Sequence, residues 1–348
     1  MQRKIRVLVV DDSPLARRLI SGALEEAGDI EVVGSATDGY SARAQVTALR
    51  PDVLTLDIGM PGMDGITFLK QSRGPAWLPA VVISAMTGAG CQTALDALQA
   101  GAAEVIGKPV DKSAFQDFRA VLPVKVRAAF ACRRPGARLS SSPSLKRPAG
   151  SPAPTVLRLR TPGIIAIGSS TGGTEAVETI LRQLPGDTPG IVIAQHIPAR
   201  FSLLFAERLK QVCKIQVKEA GHGDLVRPGL ALIAPGDQHM LVQKRPGGLE
   251  VALNQGPRVG FQRPSVDMLF HSVASLASEA IGVILTGMGN DGAAGLLAMK
   301  RSGAITLAQD EASCAVFGMP KEAIRIGAAD HVLSLTSIAA SLGLLHTH

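Results

Sequence analysis

Short apolar runs alternate with amphipathic segments along the first third of the chain. The runs have strand length, and in each intervening segment the apolar residues recur every three to four positions, as they do on one face of a helix. We predict strands at 5–10, 31–34, 53–56, 80–84 and 104–106, and helices at 14–24, 41–49, 66–71 and 93–100. Wholly apolar strands that alternate with helices are typical of a doubly wound parallel sheet.

The same alternation returns in the second half of the chain. Apolar runs at 163–167, 191–194 and 281–285 predict buried strands, and helical patterns begin near residues 174 and 293. The fold class is therefore α/β, with two doubly wound parallel-sheet domains. We place the first domain at 1–122 and the second at 161–348.

The charge of the chain is concentrated between these two domains. The net charge of +7 divides into −2 for residues 1–122, +9 for 123–160 and 0 for 161–348. The middle segment is rich in Pro, Ser and Arg and poor in large apolar residues, which predicts a flexible basic linker. Because neither domain is basic, we expect no nucleic-acid partner; docking of the linker on an acidic protein surface and a merely solvated linker both stay open.

The hydropathy of the chain favours a cytoplasmic protein that is not inserted in a membrane. No apolar run approaches the ~18 residues that a membrane span requires. The apolar run near the N-terminus is short and is followed at once by Asp11 and Asp12, which does not suit a signal peptide.

Polar residues follow the predicted strands of the first domain, where ligands bind to doubly wound sheets. Three carboxylates close together repel one another unless a cation lies among them, and oxygen ligands suit Mg²⁺. Taken one at a time, each aspartate could instead cap a helix or turn. The residues at these strand ends are Asp11, Asp12, Asp57, Ser84 and Lys108.

These residues stand in segments that resemble the receiver domain of response regulators. The resemblance implies that Asp57 accepts a phosphoryl group, that Asp11, Asp12 and Asp57 hold Mg²⁺, that Ser84 binds a phosphoryl oxygen and that Lys108 neutralises charge. Two positions depart from the family pattern, Gly59 and Val105, and they leave open how the signal leaves the site, although not the phosphorylation itself. The matching segments are Asp11-Asp12-Ser13-Pro14, Asp57 to Pro61, Met63-Asp64-Gly65, Ser84-Ala85 and Lys108-Pro109.

A glycine-rich turn follows the first strand of the second domain. A P-loop would place Lys where Thr174 stands, and a dinucleotide site would need an acid after the next strand, which ends in Gln195-His196. Gly168-x-Ser170-x-Gly172 instead matches the sharp turn that exposes a nucleophilic serine beside helix N-terminal amides. The pattern is short, and a nucleophile also needs a base and a group that orients the base.

His196 and Asp291 are the partners predicted for Ser170. Both follow apolar strands, so all three residues are expected at one edge of a parallel sheet, although Asp291 read locally could be a helix N-cap. His239 follows a turn and is a weaker base. His271 lies in an apolar helical pattern, where we expect a core or boundary position.

The second domain is similar to the chemotaxis protein-glutamate methylesterases, the CheB family. The resemblance rests on seven segments: 168–175, 195–198, 205–209, 234–237, 263–267, 285–292 and 317–320. It implies that Ser170 is the nucleophile, His196 the general base and acid, and Asp291 the residue that orients His196, with the amides of Thr171 and Met288 around the oxyanion.

The resemblance further implies a phosphorylation-activated serine hydrolase. Its substrates would be glutamate γ-methyl esters, and glutamines for deamidation, on the cytoplasmic helices of methyl-accepting chemotaxis receptors. A chemotaxis histidine kinase would be the phosphodonor, and the esterase would need no cofactor beyond the Mg²⁺ of the receiver. The alternative is a phosphorylation-controlled regulator without catalysis that binds a receptor, a kinase or DNA.

Overall fold

The computed structural model describes residues 3–72, 77–85, 88–132, 155–160, 163–276 and 280–346. The chain divides into two compact units, at Met1–Ser141 and Ser142–His348. Within the described residues, no helix combines the length and the apolar character that crossing a bilayer requires.

The first unit is a five-stranded sheet with helices between its strands. The strand order is β2-β1-β3-β4-β5, and every pairing is parallel. The chain order reverses beside β1, which places the ends of β1 and β3 at the point where such sheets bind ligands. The elements are β1 (Ile5–Val10), α1 (Pro14–Glu25), β2 (Ile30–Ala36), α2 (Gly39–Leu49), β3 (Val53–Asp57), α3 (Gly65–Gln71), β4 (Ala80–Ser84), α4 (Gly88–Gln99), β5 (Glu104–Gly107) and α5 (Lys112–Ala131).

Helix α5 runs beyond the predicted end of the first domain at residue 122. It continues through Pro123 to Ala131, so the first nine residues of the predicted linker are helical. Leu122, Val126 and Ala129 recur on one face of this helix and are fully buried. Burial of this apolar face stabilises a segment whose composition alone favours a linker.

The second unit is built on a seven-stranded parallel sheet of order β15-β14-β13-β6-β7-β10-β8. The parallel-sheet fold predicted for both domains is confirmed. A three-stranded antiparallel sheet of order β11-β12-β9, which the prediction did not include, accompanies it. The elements are β6 (Ile164–Ser169), α6 (Gly173–Leu181), β7 (Gly190–Gln195), α7 (Phe201–Val212), β8 (Gln216–Glu219), β9 (Leu225–Val226), β10 (Leu230–Ile233), β11 (His239–Arg245), β12 (Gly248–Asn254), α8 (Val266–Ala274), β13 (Ala280–Ile284), α9 (Ala293–Arg301), β14 (Ile305–Gln309), α10 (Met319–Arg325), β15 (His331–Leu333) and α11 (Leu335–Leu342).

The last part of the predicted linker lies against the second unit. The Leu157 N–H donates a hydrogen bond of 2.9 Å to Ser341 Oγ in α11. Residues 133–154, which carry most of the linker prediction, lie outside the described residues.

The start of α8 comes very close to the end of β6. A Cβ added to Gly168 would lie 2.1 Å from Val266 Cγ1, so only glycine permits this approach. The contact brings the first turn of α8 to the edge of the sheet where β6, β7 and β13 end. The polar residues after those three strands therefore share their surroundings with the N-terminus of α8.

Candidate active site and phosphorylation site

Three aspartates converge at the carboxyl edge of the first sheet. One carboxylate oxygen from each of Asp11, Asp12 and Asp57 lies within 4.8 Å of the other two. Asp11 is fully buried after β1, Asp57 is nearly buried at the end of β3, and Asp12 is exposed. The structure thus brings together the three residues that the sequence predicted as neighbours.

Lys108 lies among these carboxylates. Its Nζ is 2.8 Å from Asp57 Oδ2 and 2.9 Å from Asp11 Oδ2. Partial burial lowers the pKa of Lys108, but hydrogen bonds and attraction to Asp57 and Asp11 outweigh it and leave the pKa raised. Ser84 is buried at the end of β4, the strand next to β3. Its carbonyl accepts a 2.8 Å hydrogen bond from the Lys108 N–H.

The donor set at this edge fits Mg²⁺. Three carboxylate oxygens within coordinating reach of one another are hard ligands, and the exposed Asp12 leaves one side open for water and phosphoryl oxygens. Asp57 Oδ1 accepts the N–H of Ile58 at 2.8 Å, which fixes the orientation of its carboxylate.

Ser170, His196 and Asp291 form one hydrogen-bonded chain in the second unit. Ser170 Oγ lies 3.0 Å from His196 Nδ1, and His196 Nε2 lies 2.7 Å from Asp291 Oδ2. They follow β6, β7 and β13, which are neighbours in the sheet, and all three residues are buried. The structure brings together the three residues that the sequence predicted for one edge.

The charge of Asp291 determines the tautomer of His196. Burial raises the pKa of Asp291, but hydrogen bonds from His196 and from the amides of Asp267 and Val266 outweigh it, so the pKa lies below its usual value. The ionised carboxylate only accepts, so Nε2 carries a proton, and in the neutral imidazole Nδ1 keeps a lone pair for the Ser170 hydroxyl. The ring is therefore ready to accept the serine proton.

The backbone of Ser170 is held by residues that the sequence analysis did not single out. The Ser170 N–H donates to the carbonyl of Thr286 at 3.0 Å, and Gln195 Nε2 donates to the Ser170 carbonyl at 2.8 Å. Ser169 Oγ in turn donates to Gln195 Oε1 at 2.5 Å. Gln195 closes the apolar strand β7, but its position in the sequence gives no sign of this role.

Thr171 follows Ser170 directly, and Met288 lies on the segment after β13 that packs against Ser170. Thr171 is buried, and its carbonyl accepts a 2.9 Å hydrogen bond from Thr286 Oγ1. Met288 is half-buried and follows Gly287, where an added Cβ would lie 2.6 Å from Ser170 Cβ. The segment after β13 is thus in close contact with the segment that carries Ser170 and Thr171.

The close packing at Gly287 predicts a loss of activity in a Gly287→Ala variant. The added methyl group would meet Met319 Sδ at 2.3 Å and Ser170 Cβ at 2.6 Å, so the Gly287 segment and Ser170 must shift apart. A misplaced nucleophile costs on the order of 10²-fold in rate, which ester-hydrolysis kinetics would measure. Gly186→Ala is the control, because a Cβ at Gly186 meets no atom within 4 Å. Equal rates for the two variants would contradict the expectation.

The two remaining histidine candidates occupy different surroundings. His239 is buried, and its Nδ1 accepts a 3.2 Å hydrogen bond from the Ser265 N–H while its Nε2 lies 3.0 Å from the Pro257 carbonyl. His271 is exposed on α8, so the expected core or boundary position was wrong. Its place in the apolar helical pattern falls on the solvent side of the helix.

A receiver-like acidic site in one unit and a serine-hydrolase arrangement in the other define a response regulator with a hydrolase output. The response regulator receiver domain model matches residues 7–118, and the CheB methylesterase model matches residues 165–342. The chain belongs to the CheB methylesterase family, which confirms the resemblance seen in the sequence.

Relatives cover nearly the whole chain. It is 49% identical over 339 residues to "Protein-glutamate methylesterase/protein-glutamine glutaminase 2" of Syntrophus aciditrophicus, with 97% of each chain covered. It is 44% identical to the Salmonella typhimurium protein-glutamate methylesterase/protein-glutamine glutaminase, over 97% of this chain and 96% of that protein. The crystal structure of the Thermotoga maritima CheB methylesterase catalytic domain is 39% identical, covers 53% of this chain and 98% of its own, and superposes with a TM-score of 0.51. These matches do not favour the non-catalytic alternative.

Proposed function

We propose that the chain is a phosphorylation-activated hydrolase that removes methyl groups from glutamate γ-methyl esters of chemotaxis receptors. The observation that carries the proposal is the hydrogen-bonded triad of Ser170, His196 and Asp291. Its two hydrogen bonds are 3.0 Å, from Ser170 Oγ to His196 Nδ1, and 2.7 Å, from His196 Nε2 to Asp291 Oδ2. Relatives of the same length are named for methylesterase and glutaminase activity. In this proposal residues 1–122 act as the receiver, 161–348 as the esterase and 123–160 as the linker, the first nine residues of which continue helix α5.

Hydrolysis proceeds through an acyl-enzyme. Ser170 Oγ attacks the ester carbonyl while His196 Nδ1 accepts its proton, and Asp291 stabilises the imidazolium that forms. The tetrahedral intermediate collapses, the C–O bond to the methoxy group breaks, and His196 returns the proton so that methanol leaves. Water, deprotonated by His196, then attacks the acyl group, and the glutamate carboxylate and the free Ser170 hydroxyl result.

The amides of Thr171 and Met288 are the proposed oxyanion donors. They lie on the segments that follow β6 and β13. Donors held in place before the reaction stabilise the developing charge at no cost of reorganisation. A glutamine side chain passes through the same type of intermediate with ammonia as leaving group, so deamidation is the second proposed activity.

Asp57 is the proposed phospho-acceptor, and a chemotaxis histidine kinase is the proposed phosphodonor. Asp11, Asp12 and Asp57 would hold Mg²⁺, which neutralises phosphoryl charge during transfer. Lys108 and Ser84, at the ends of β5 and β4, would bind phosphoryl oxygens. We propose that the chain works in the cytoplasm, where the receptor helices and the kinase are accessible, and that the esterase itself uses no cofactor.

The experiment that tests this function measures methanol release from tritium-methylated receptors, with and without the small phosphodonor phosphoramidate. We expect phosphoramidate to raise the rate of methanol release by the wild type. The Asp57→Asn variant should release methanol at the same rate with and without phosphoramidate. Asp111→Asn is the matched control, because Asp111 is an exposed N-cap of α5 and Asn also caps helices. Equal stimulation of Asp57→Asn and the wild type would contradict the role of Asp57.

A further inference from the structure

The carboxylate of Asp291 accepts four hydrogen bonds. Oδ2 accepts from His196 Nε2 at 2.7 Å and from the Val266 N–H at 2.7 Å. Oδ1 accepts from Ser265 Oγ at 2.8 Å and from the Asp267 N–H at 3.0 Å. Each carboxylate oxygen has two lone pairs, so every acceptor position of Asp291 is used.

Three of the four donors belong to the start of α8. The amides of Val266 and Asp267 are in the first turn of this helix, where N–H groups have no partner within the helix. Ser265 is the N-cap residue, and its Oγ also accepts the Met268 N–H at 3.3 Å. The orientation of Asp291 therefore depends on α8 as much as on His196.

The hydroxyl of Ser265 has one possible direction. Ser265 is fully buried, and its backbone N–H is committed to His239 Nδ1 at 3.2 Å. Since the Asp291 carboxylate and the Met268 N–H can act only as acceptor and donor respectively, the Ser265 O–H must point at Asp291 Oδ1. His239, Ser265 and Asp291 thus extend the hydrogen-bonded chain that begins at Ser170.

We propose that Ser265 is a positioning residue of the hydrolase, acting through Asp291. Its hydroxyl is one of two donors to Oδ1 and, together with the Val266 and Asp267 amides, keeps Oδ2 on His196 Nε2. Without this donor, Oδ1 keeps only the Asp267 amide, and the carboxylate is held less firmly against the imidazole. The inference rests on the proposed esterase function and adds to it a residue that does not touch the substrate.

Removal of the hydroxyl in Ser265→Ala should lower kcat for methanol release about 10- to 100-fold, with KM unchanged, as expected for a group that acts on a catalytic residue through a hydrogen bond. The far-downfield proton resonance of the His196–Asp291 hydrogen bond should broaden or shift. Ser272→Ala is the matched control, because Ser272 lies on the same helix and its Oγ donates to the Leu269 carbonyl and accepts the Val242 N–H of β11, and neither bond reaches Asp291. We expect the control to keep the wild-type kcat and resonance.

A double-mutant cycle with Asp291→Ala separates positioning from a general structural effect. Asp291→Ala alone should cost about 10⁴-fold, and adding Ser265→Ala should change kcat no further, because the group through which Ser265 acts is gone. The proposal would be overturned if Ser265→Ala lowered kcat equally in the wild type and in Asp291→Ala. An unchanged kcat in Ser265→Ala alone would overturn it as well. Ser265→Cys, which conserves size but donates weakly, gives the same comparison if the alanine variant does not fold. A wild type that releases no methanol would instead refute the proposed function itself.

Discussion

Replacement of Ser170 by alanine is expected to lower methanol release from methylated receptors by about 10⁴- to 10⁶-fold. The Oγ atom is the group that His196 can deprotonate at the end of β6, at 3.0 Å from Nδ1. Its loss leaves only binding and oxyanion stabilisation to accelerate attack by water. Release of tritiated methanol, followed over hours to days for the variant and over seconds for the wild type, measures this loss.

The control for Ser170→Ala is Ser275→Ala, an exposed serine at the end of α8. It should release methanol at the wild-type rate. A serine-directed phosphonate gives a second readout, because it should label the wild type and the control but not Ser170→Ala. Near-normal methanol release by Ser170→Ala would exclude the proposed nucleophile.

Replacement of His196 by glutamine is expected to have an effect of similar size, about 10⁴- to 10⁶-fold. Glutamine cannot accept the serine proton, so Ser170 would attack as a neutral hydroxyl. The phosphonate should still label the serine, but slowly. This partial labelling distinguishes the loss of the base from the loss of the nucleophile.

His271→Gln is the control for His196→Gln, because His271 is exposed on α8. The double variant Ser170→Ala, His196→Gln should be no slower than either single variant, since the two residues act as a unit. If the loss in the double variant equals the product of the two single losses, the residues act independently, which would contradict the proposed mechanism.

The strand assignments in both units follow from local patterns. The predicted strand at 80–84 is observed at Ala80–Ser84, and the predicted strand at 5–10 is observed at Ile5–Val10. The small antiparallel sheet was missed. Its strands β11 and β12 form a local hairpin, whereas its third strand β9 has two residues, too few for a periodic pattern, and pairs with residues distant in sequence.

Chemistry at the strand ends was predictable because parallel strands expose their carboxyl ends at one edge. That rule placed Ser170, His196 and Asp291 in one region without any knowledge of distances. The supporting residues Gln195 and Thr286 were not predictable in the same way. Their hydrogen bonds to Ser170 connect different strands, and nothing in the local sequence distinguishes them from ordinary polar residues at strand ends.

The sequence by itself determined the two doubly wound units and the residue types at the edges of their sheets, because hydrophobic periodicity and turn residues act over a few neighbouring positions. The tertiary structure decided that β13, β6 and β7 are adjacent, that Nδ1 of His196 faces the serine, and that the first turn of α8 holds Asp291. Those features depend on contacts between distant segments, such as the approach of Val266 to Gly168. Only the packed chain sets such distances.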